Sequence, residues 1–537
     1  MAIAWWTPDN NNAKNWASKS IYQASRVSVT PFLHPRPQLT HLTQLVTDRF
    51  ATSTDSSTAC DTSKRTYCGG SWAGITNHLA YIQNMGFDAV WISPIVKNVD
   101  GTAYGDGYWS GDIDSLSSHF GTADDLKDLS AALHKRGMYF MLDVVVNHYA
   151  GIPLSSPSPS PSRFGLNPTI DIDFASLLPF GTAAEFHPQC FIKDYANQTE
   201  VEQCWLGDED LPLPDVDTED AKVVNTLYTW IEDMVKEYDV DGVRIDTVET
   251  DNATYAASYL GAVDGVLDYP TWYALIKAFA SLRGNLSAFQ DSPALASLAP
   301  ASSAPPITAA FLENHDQPRF PSYTTDEALR KNAMVWPFVG DGIPTMYYGQ
   351  EQGYEGGADP WNREALWLSA FETTKPGVAT VKALNAVRKQ AIAANASFLT
   401  TPARWIPQTN PSTIMLSKPP LLSLFTNIGS GANTTTSVVQ PTWRVPPGLY
   451  APGTSLVDVL ACKAVVVDAG CGETVVQALG GMPQVLIPAS MLSRDKGAGG
   501  ACPALATGAG SRSAPGKSRV GRTLGVLGTV LGVGAML

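Results

Sequence analysis

Short apolar runs that end in polar residues recur along this chain and alternate with amphipathic stretches. The strand-like runs, rich in β-branched and aromatic residues, are 87–94, 138–148, 240–246, 309–316 and 343–351. The stretches 123–137 and 222–238 carry apolar residues at helical spacing. Strand–helix alternation over this length predicts an α/β fold, a (β/α)8 TIM barrel, in which the polar strand ends gather at one face.

The alternation stops in two places, which predicts two further domains. A Pro-, Ser- and Cys-bearing excursion follows the third strand, and we interpret it as a small inserted domain. Late in the chain, short Val, Thr and Leu runs with Gly and Pro turns predict a C-terminal antiparallel β-sandwich. The predicted parts are barrel 1–148, insert 149–217, barrel 218–397, sandwich 398–503 and tail 504–537. Within the first part, 24–45 shows neither strand nor helix periodicity and resembles an insertion.

The charge balance excludes several classes of partner. The chain has 51 acidic and 36 basic residues and a net charge of −15, whereas binding of nucleic acid or of an anionic membrane needs a basic face. A neutral ligand such as a sugar is compatible with this charge. The local spacing of the seven cysteines favours disulfides in a secreted protein over buried free thiols, and Asn-x-Ser/Thr sequons agree with that route.

The two ends of the chain differ in their targeting signals. The start, MAIAWWTPDN, has neither the basic nor the apolar region of a signal peptide. The end combines small residues at 507–511, a basic polar spacer and an apolar run over 524–537, which is typical of a glycolipid-anchor signal. That run is shorter than the ~20 apolar residues needed to span a bilayer. We expect a cell-surface protein held by a lipid, with its N-terminal leader missing from this sequence.

Three strand ends carry residues that suit chemistry on a sugar. In DGVRID the two-residue period of a strand places Arg244 and Asp246 on one face, where the guanidinium keeps the carboxylate ionised as a nucleophile requires. ENHD (313–316) places an acid beside a histidine at another strand end, and DVVVNH ends in Asn147 and His148. These groups together indicate a pocket that binds sugar hydroxyls.

These motifs resemble the sequence regions of the α-amylase family of glycoside hydrolases, in particular the secreted fungal α-amylases. The resemblance extends over about 46–503, through YCGG, GTADDL, CWLGD, DGVLDYP and DGIP. It implies a catalytic barrel, an inserted domain that binds Ca²⁺ as a cofactor, and a C-terminal sandwich. It also implies retaining endo-hydrolysis of α-1,4-glucosidic bonds, with starch or glycogen as the partner and no nucleic acid.

The resemblance also implies a role for each matching position. Asp246 matches the nucleophile, Asp316 the acid that stabilises the transition state, and Arg244 the arginine that holds the nucleophile. The matching sugar-binding residues are His148, His315, Tyr108, Trp109, Asp359 and Arg363. The matching calcium ligands are Asn147, Glu202 and Asp215, an oxygen-rich set of the kind that calcium prefers. The matching disulfides are Cys60–Cys68, Cys190–Cys204 and Cys462–Cys502, which leaves Cys471 over.

Three features depart from the family pattern. A histidine expected before GYW is absent from TAYGDGYW, which offers Tyr104 and Asp106, and the histidine expected four residues after the nucleophile is Thr250. The Gly-Glu motif that bears the proton donor is not visible ahead of DGVLDYP. Glu249 precedes sequence typical of the region after the donor. Glu249 is either that donor or an ordinary polar residue. In the first case about twenty residues between it and Asp246 are lost, and these would include the dozen or more that connect two parallel strands.

The spacing of Asp246 and Glu249 determines whether they can act together as a catalytic pair. A retaining glycosidase needs its carboxyl groups ~5–5.5 Å apart, whereas residues three apart in extended chain are separated by ~10 Å and point to opposite faces. Asp246 and Glu249 therefore cannot form the pair in this linker. The strand-four to strand-five unit missing near 248–249, the insertion and the absent leader indicate gene-model errors. We expect impaired barrel closure and weak or absent activity.

Two alternative functions stay open from the sequence. One is a cell-surface α-glucanotransferase of the same family, in which a sugar hydroxyl replaces water. The other is a catalytically inactive glucan-binding protein, which the missing donor motif favours and the intact Asp246, Asp316 and Arg244 oppose. For all three readings we expect an extracellular monomer that meets a membrane only through its lipid anchor.

Overall fold

A closed sheet lies at the centre of the molecule in the computed structural model. The described residues are 2–5, 41–54, 57–99, 107–152, 170–195, 197–209, 211–247, 265–282, 284–292, 307–395, 397–433, 441–470, 472–493 and 501–505. In chain order the strands among them are β1 (Ala2–Trp5), β2 (Leu42–Leu45), β3 (Ala89–Ile92), β4 (Val96–Asn98), β5 (Ser110–Leu116), β6 (Tyr139–Val144), β7 (Leu206–Gly207), β8 (Pro212–Leu213), β9 (Gly242–Ile245), β10 (Gly265–Leu267), β11 (Ile307–Phe311), β12 (Ile343–Tyr347), β13 (Arg404–Ile406), β14 (Thr413–Lys418), β15 (Leu421–Thr426), β16 (Thr442–Val445), β17 (Ser455–Asp458), β18 (Lys463–Val466), β19 (Thr474–Gln477) and β20 (Gln484–Pro488). The α-helices are α1 (Thr47–Phe50), α2 (Trp72–Asn84), α3 (Ala123–Lys135), α4 (Gln198–Gln203), α5 (Ala221–Glu237), α6 (Tyr269–Phe279), α7 (Leu286–Gln290), α8 (Glu327–Val339) and α9 (Pro376–Ala394).

The barrel confirms the predicted fold class, with one strand of unusual origin. Around the barrel the strand order is β1-β10-β11-β12-β2-β3-β6-β9, and the sheet is closed. All neighbouring pairs are parallel except those of β1, which runs antiparallel to both β9 and β10. The expectation of impaired closure is therefore wrong for the sheet itself. Closure occurs because Ala2–Trp5 pairs with the two strand edges that would otherwise lack partners.

The end of the stretch interpreted as an insertion is a barrel strand, which corrects that interpretation. β2 pairs in parallel with β3 and β12, and all four of its residues are buried. A four-residue strand that is buried on both faces shows no alternation, so its sequence pattern gave no signal. Residues 24–40 of the proposed insertion lie outside the described residues.

Helix α3 illustrates how the helices pack on the barrel. The Thr122 side chain accepts the N–H of Asp125, and the Asp125 side chain accepts the N–H of Thr122, which is a capping box. Leu126, Leu129 and Leu133 recur at helical spacing on the buried face. The sequence therefore sets both the start of the helix and the face that it buries.

Three disulfides form, and their pairs are those that the family resemblance implies. They join Cys60 to Cys68, Cys190 to Cys204 and Cys462 to Cys502. The second lies in the segment between β6 and α5, where the described part has only short helices and the β7–β8 hairpin. Cys471 lies outside the described residues.

The C-terminal part is antiparallel, as predicted. Its main sheet has the order β13-β14-β15-β20-β17-β18, and β16 pairs with β19 in a second, two-stranded sheet. The two sheets enclose a core that includes Met415, Leu424, Trp443, Leu456 and Val476. This agrees with the predicted sandwich architecture.

Helix α8 joins the barrel to the C-terminal sheet through a buried asparagine. Asn332 Oδ1 accepts the backbone N–H of Thr426 at 2.9 Å, and its Nδ2 donates to the carbonyl of Gly481 at 2.8 Å. One continuous apolar core contains residues of both parts, such as Phe338 and Phe425. In the part of the chain that the structure describes, no helix has the length and apolarity needed to cross a membrane.

Candidate active site

The predicted site residues lie at the carboxyl ends of parallel strands, at one end of the barrel. Asn147 and His148 follow β6, Asp246 follows β9, and the 313–316 segment follows β11. Because the carboxyl ends of parallel strands share one edge of the barrel, these residues meet there. Burial and nearby charges, those of Asp246 and Asp316 among them, raise the pKa of Tyr108, which agrees with this convergence.

Arg244 is the buried centre of the site. Its NH1 lies 2.7 Å from Asp246 Oδ1 and 2.8 Å from Asp143 Oδ1, and its side chain is fully buried. Burial raises the pKa of Asp246, but Arg244, with smaller contributions from the His148 ring and the Thr247 hydroxyl, holds the pKa below its ordinary value. Asp246 is therefore a carboxylate at neutral pH, the form in which it can attack an electrophilic carbon.

Asp143 organises the wall of the site and was not predicted from the sequence. Its Oδ2 accepts hydrogen bonds from the indole of Trp91 at 3.0 Å and from the hydroxyl of Tyr108 at 2.7 Å. Burial raises the pKa of Asp143 to about 6, although Arg244 acts in the opposite direction. The available signal was an acid inside an otherwise apolar strand, as the first residue of DVVVNH.

Two histidines and a tyrosine form a surface beside the carboxylates. The ring of Tyr108 stacks on His315, with ring centres 4.9 Å apart. The Nδ1 of His315 lies 2.6 Å from Nε2 of Gln44, so the strand β2 also contributes to the site. Burial lowers the pKa of His148, which keeps its ring neutral at physiological pH. His315 Nε2 lies 3.3 Å from Asp316 Oδ1, which places the second predicted acid at the same surface.

The 359–364 segment closes another side of the site. Asp359 pairs with Arg363 at 3.2 Å and with Arg65 at 2.5 Å, and Arg65 was not foreseen from the sequence. Arg363 Nε donates to the carbonyl of His315 at 3.2 Å. Trp109, the residue after Tyr108, is half-buried, and its carbonyl accepts the N–H of Val99.

The residues predicted to hold calcium are partly brought together. Asn147 Nδ2 donates to Asp215 Oδ1 at 2.9 Å, and Glu202 lies on α4. The other Asp215 oxygen lies 2.6 Å from Nδ1 of His187. Amide and carboxylate oxygens suit a hard cation such as calcium. Next to them, three groups offer ligand atoms within 4.8 Å of one another, namely His187, Asp217 and Glu219.

Some predicted positions lie outside the described residues. They are Glu249, Thr250, Tyr104 and Asp106. The structure therefore describes the predicted nucleophile and the predicted sugar-binding residues. The role of Glu249 stays a prediction.

A barrel with a buried arginine–carboxylate pair and two histidines at its strand ends is the arrangement of a glycoside hydrolase. Two sequence families match this chain: "Alpha amylase, catalytic domain" over residues 44–281 and 255–409, and "Alpha-amylase, domain C" over 410–503. The chain belongs to the α-amylase family.

Named relatives agree with this assignment. The chain is 37% identical to "Alpha-amylase 1" of Schwanniomyces occidentalis, over 90% of this chain and 92% of that protein. It is 36% identical to "Alpha-amylase" of Saccharomycopsis fibuligera, over 90% of this chain and 94% of that protein. Among solved structures, an α-amylase from Malbranchea cinnamomea superimposes with a TM-score of 0.77 at 37% identity, covering 86% of this chain and 98% of that one.

Proposed function

We propose that this protein hydrolyses internal α-1,4-glucosidic bonds of starch- or glycogen-type glucans with retention of configuration. The observation that carries the proposal is the buried ion pair between Arg244 and Asp246 at the end of β9, 2.7 Å apart. It keeps ionised the carboxylate that would form a covalent glucosyl intermediate. The fungal relatives named as α-amylases support the same activity.

In the proposed mechanism each of the convergent residues has one task. Asp246 attacks the anomeric carbon, and Asp316 stabilises the positive charge that develops on the sugar in the transition state. The neutral ring of His148 and the ring of His315 hydrogen-bond sugar hydroxyls, and Tyr108 supplies a flat surface. Asp359, Arg363 and Trp109 bind the same sugar or its neighbours.

The proton donor lies outside the described residues. We propose Glu249 as the donor in the complete enzyme, with a missing segment between it and Asp246. General acid catalysis contributes about 10²–10⁴-fold, so this chain should cleave starch slowly or not at all. A substrate whose leaving group needs no proton should escape that defect.

α-Maltosyl fluoride tests the proposal in this chain directly. The Asp246 carboxylate displaces fluoride to form a maltosyl ester, and added azide then displaces the carboxylate to give maltosyl azide, so neither step needs the donor. We expect fluoride release with azide, its loss in Asp246→Asn, and little starch hydrolysis. No release of fluoride by the unsubstituted chain would refute the assignment of Asp246. Sequencing of the transcript across residues 248–249 should recover about twenty residues, enough for a crossover, that end in Gly-Glu.

We also propose that Asn147, Asp215 and Glu202 bind Ca²⁺. The oxygen chemistry of this set supports the proposal, and the contact between Asn147 and Asp215 places two of its members together. When bound, the ion would hold the segment between β6 and α5 against the barrel. It has no part in the steps described above, which use protein side chains alone.

Two further proposals concern location and organisation. We propose an extracellular protein, supported by the three disulfides, with a glycolipid in place of the residues beyond about 511. Those residues lie outside the described part of the chain. Release from cells by a phospholipase specific for such anchors tests this. We also propose that residues 149–217 and 398–503 form separate domains. Limited proteolysis, which should cut near these boundaries, tests this.

A further inference from the structure

The segment that carries His315 and Asp316 is closed into a loop by an ion pair at its ends. Glu313 begins this loop after β11 and Arg319 ends it, and Arg319 NH1 lies 3.2 Å from Glu313 Oε2. The other oxygen of Glu313 accepts the backbone N–H of Phe320 at 3.1 Å. Both members of the pair are buried. The ends of the loop are thus fixed while its middle reaches the site.

Arg319 lies in a cage of tyrosines. Its guanidinium carbon is 4.6 Å from the ring centre of Tyr347 and 5.3 Å from those of Tyr348 and Tyr354. NH1 also donates to the carbonyl of Tyr348 at 2.9 Å. A Cβ added to Gly349 would lie 3.1 Å from NH2, so the chain approaches the guanidinium closely there. A planar guanidinium suits stacking and forked hydrogen bonds, whereas the point charge of a lysine does not.

The same guanidinium reaches the second loop of the site. Arg319 Nε lies 2.6 Å from Glu364 Oε2, and Glu364 Oε1 accepts the N–H of Gly356 at 2.8 Å. Glu364 follows Arg363 in the segment that begins at Asp359. One side chain therefore contacts a carboxylate from each of the two loops that carry predicted sugar-binding residues.

A second contact, made by Asn362, also holds the two loops together. Asn362 is fully buried, and its Nδ2 donates to the carbonyls of His315 and Gln317, both at 2.9 Å. The hydroxyl of Tyr347, from the arginine cage, donates to the carbonyl of Asn362 at 3.2 Å. The arginine cage and the asparagine together tie the 313–319 loop to the 359–364 loop.

We infer that Arg319 is a positioning residue that fixes the positions of His315 and Asp316 relative to Asp359 and Arg363. It acts through Glu313 and Glu364 and does not touch the substrate. The inference rests on the proposed function, because it concerns where Asp316 stands relative to the bound sugar. A displacement of ~1 Å at reacting groups costs about 10²-fold in rate.

The test replaces Arg319 by lysine in the full chain, with Arg388→Lys as the matched control. Arg388 is also fully buried, but it donates to the carbonyls of Phe338 and Gly340, next to the amino end of β12 and away from the site. Both variants keep the charge and lose the planar fork. With α-maltosyl fluoride and azide, Arg319→Lys should lower kcat about 10- to 100-fold, with KM nearly unchanged. Arg388→Lys should lower only the melting temperature.

Glu364→Gln is the second variant, since Glu364 is partly exposed and its loss threatens folding less. It should lower kcat in the same sense as Arg319→Lys, by a smaller factor. The NMR signals of the His315 ring, assigned with His315→Gln, should shift in both site variants and not in Arg388→Lys. Unchanged kcat and unchanged His315 signals in Arg319→Lys would overturn the inference. No fluoride release by the unsubstituted chain would refute the proposed function, and the NMR comparison would still decide the role of Arg319.

Discussion

Arg244 and Asp246 stand two residues apart on one strand end, with the guanidinium NH1 2.7 Å from the carboxylate Oδ1. The arginine is fully buried and also contacts Asp143 at 2.8 Å. It thus compensates two carboxylates whose burial would otherwise favour their neutral forms. Arg244 is the strongest of the groups that keep Asp246 ionised, and its contribution can be measured.

Arg244→Gln should impair the reaction of Asp246 more than it impairs binding. Without the guanidinium the pKa of Asp246 should rise, because burial then loses its strongest opposing group. Fluoride release from α-maltosyl fluoride should fall about 10²–10³-fold, the cost of removing one preorganised electrostatic group. The acid limb of the pH–rate profile should move to higher pH. An unchanged limb would contradict the role assigned to Arg244, and Arg388→Lys again serves as the control for lost buried arginine contacts.

Calcium removal should destabilise the protein. Binding to the folded state alone adds about 2.7 kcal/mol to the free energy of unfolding when the free ion exceeds its dissociation constant 100-fold. Melting temperatures with excess Ca²⁺ and with a chelator should therefore differ, and Asp215→Asn should remove most of that difference. Asp217→Asn tests the neighbouring set that includes His187. A melting temperature insensitive to chelator would contradict calcium binding by this set.

His41 should make the protein less stable in mild acid. It is fully buried next to Asp88, with Nδ1 3.0 Å from Oδ2, and burial lowers its pKa from 6.5 to about 4. Between these values the unfolded chain binds a proton that the folded chain does not. The free energy of unfolding should therefore fall as pH drops from about 6.5 to about 4, by on the order of 3 kcal/mol. Urea unfolding at several pH values measures this loss.

His41→Asn should abolish that pH dependence. His134 is a control, because its effect on the free energy of unfolding changes with pH in the opposite direction. The hydrogen bond from His134 to Asp241 raises the pKa of His134 in the folded state. Its contribution is present below the unfolded value of 6.5 and is lost as pH rises through the folded value. His134→Asn should therefore cost stability in acid and not at high pH. Equal pH profiles for His41→Asn and the unsubstituted protein would contradict the prediction.

Ile3→Pro should destabilise the barrel through the antiparallel strand β1. Ile3 lies between Arg244 and Gly265 in the sheet register, so a proline there removes an N–H from a strand with a neighbour on each side. We expect a loss of about 1–3 kcal/mol, that of a backbone hydrogen bond removed from a strand pair, in thermal or urea unfolding. Ile3→Val keeps the amide and should have a much smaller effect. Equal stability of the two variants would contradict the pairing of β1.

Local patterns predicted much of the fold because they express local physics. The two-residue period predicted the shared face of Arg244 and Asp246, and the helical period predicted α3. The strand β1 was not predictable, because its place is set by partners more than 230 residues away, such as Val266. Asp143 was missed because its function comes from Trp91 and Tyr108, which converge on it only in the folded chain.

The buried contact of Asn332 with the C-terminal sheet has a thermodynamic consequence for the whole chain. Since one apolar core and this asparagine bridge the two parts, neither can lose its structure without exposing the other's interior. Heat should therefore melt the barrel and the C-terminal sheet in one cooperative transition, with calorimetric and van't Hoff enthalpies in agreement. A maltooligosaccharide bound at the carboxyl ends of the barrel strands should then raise the melting temperature reported by Trp443, a residue of the distant sheet that never meets the sugar.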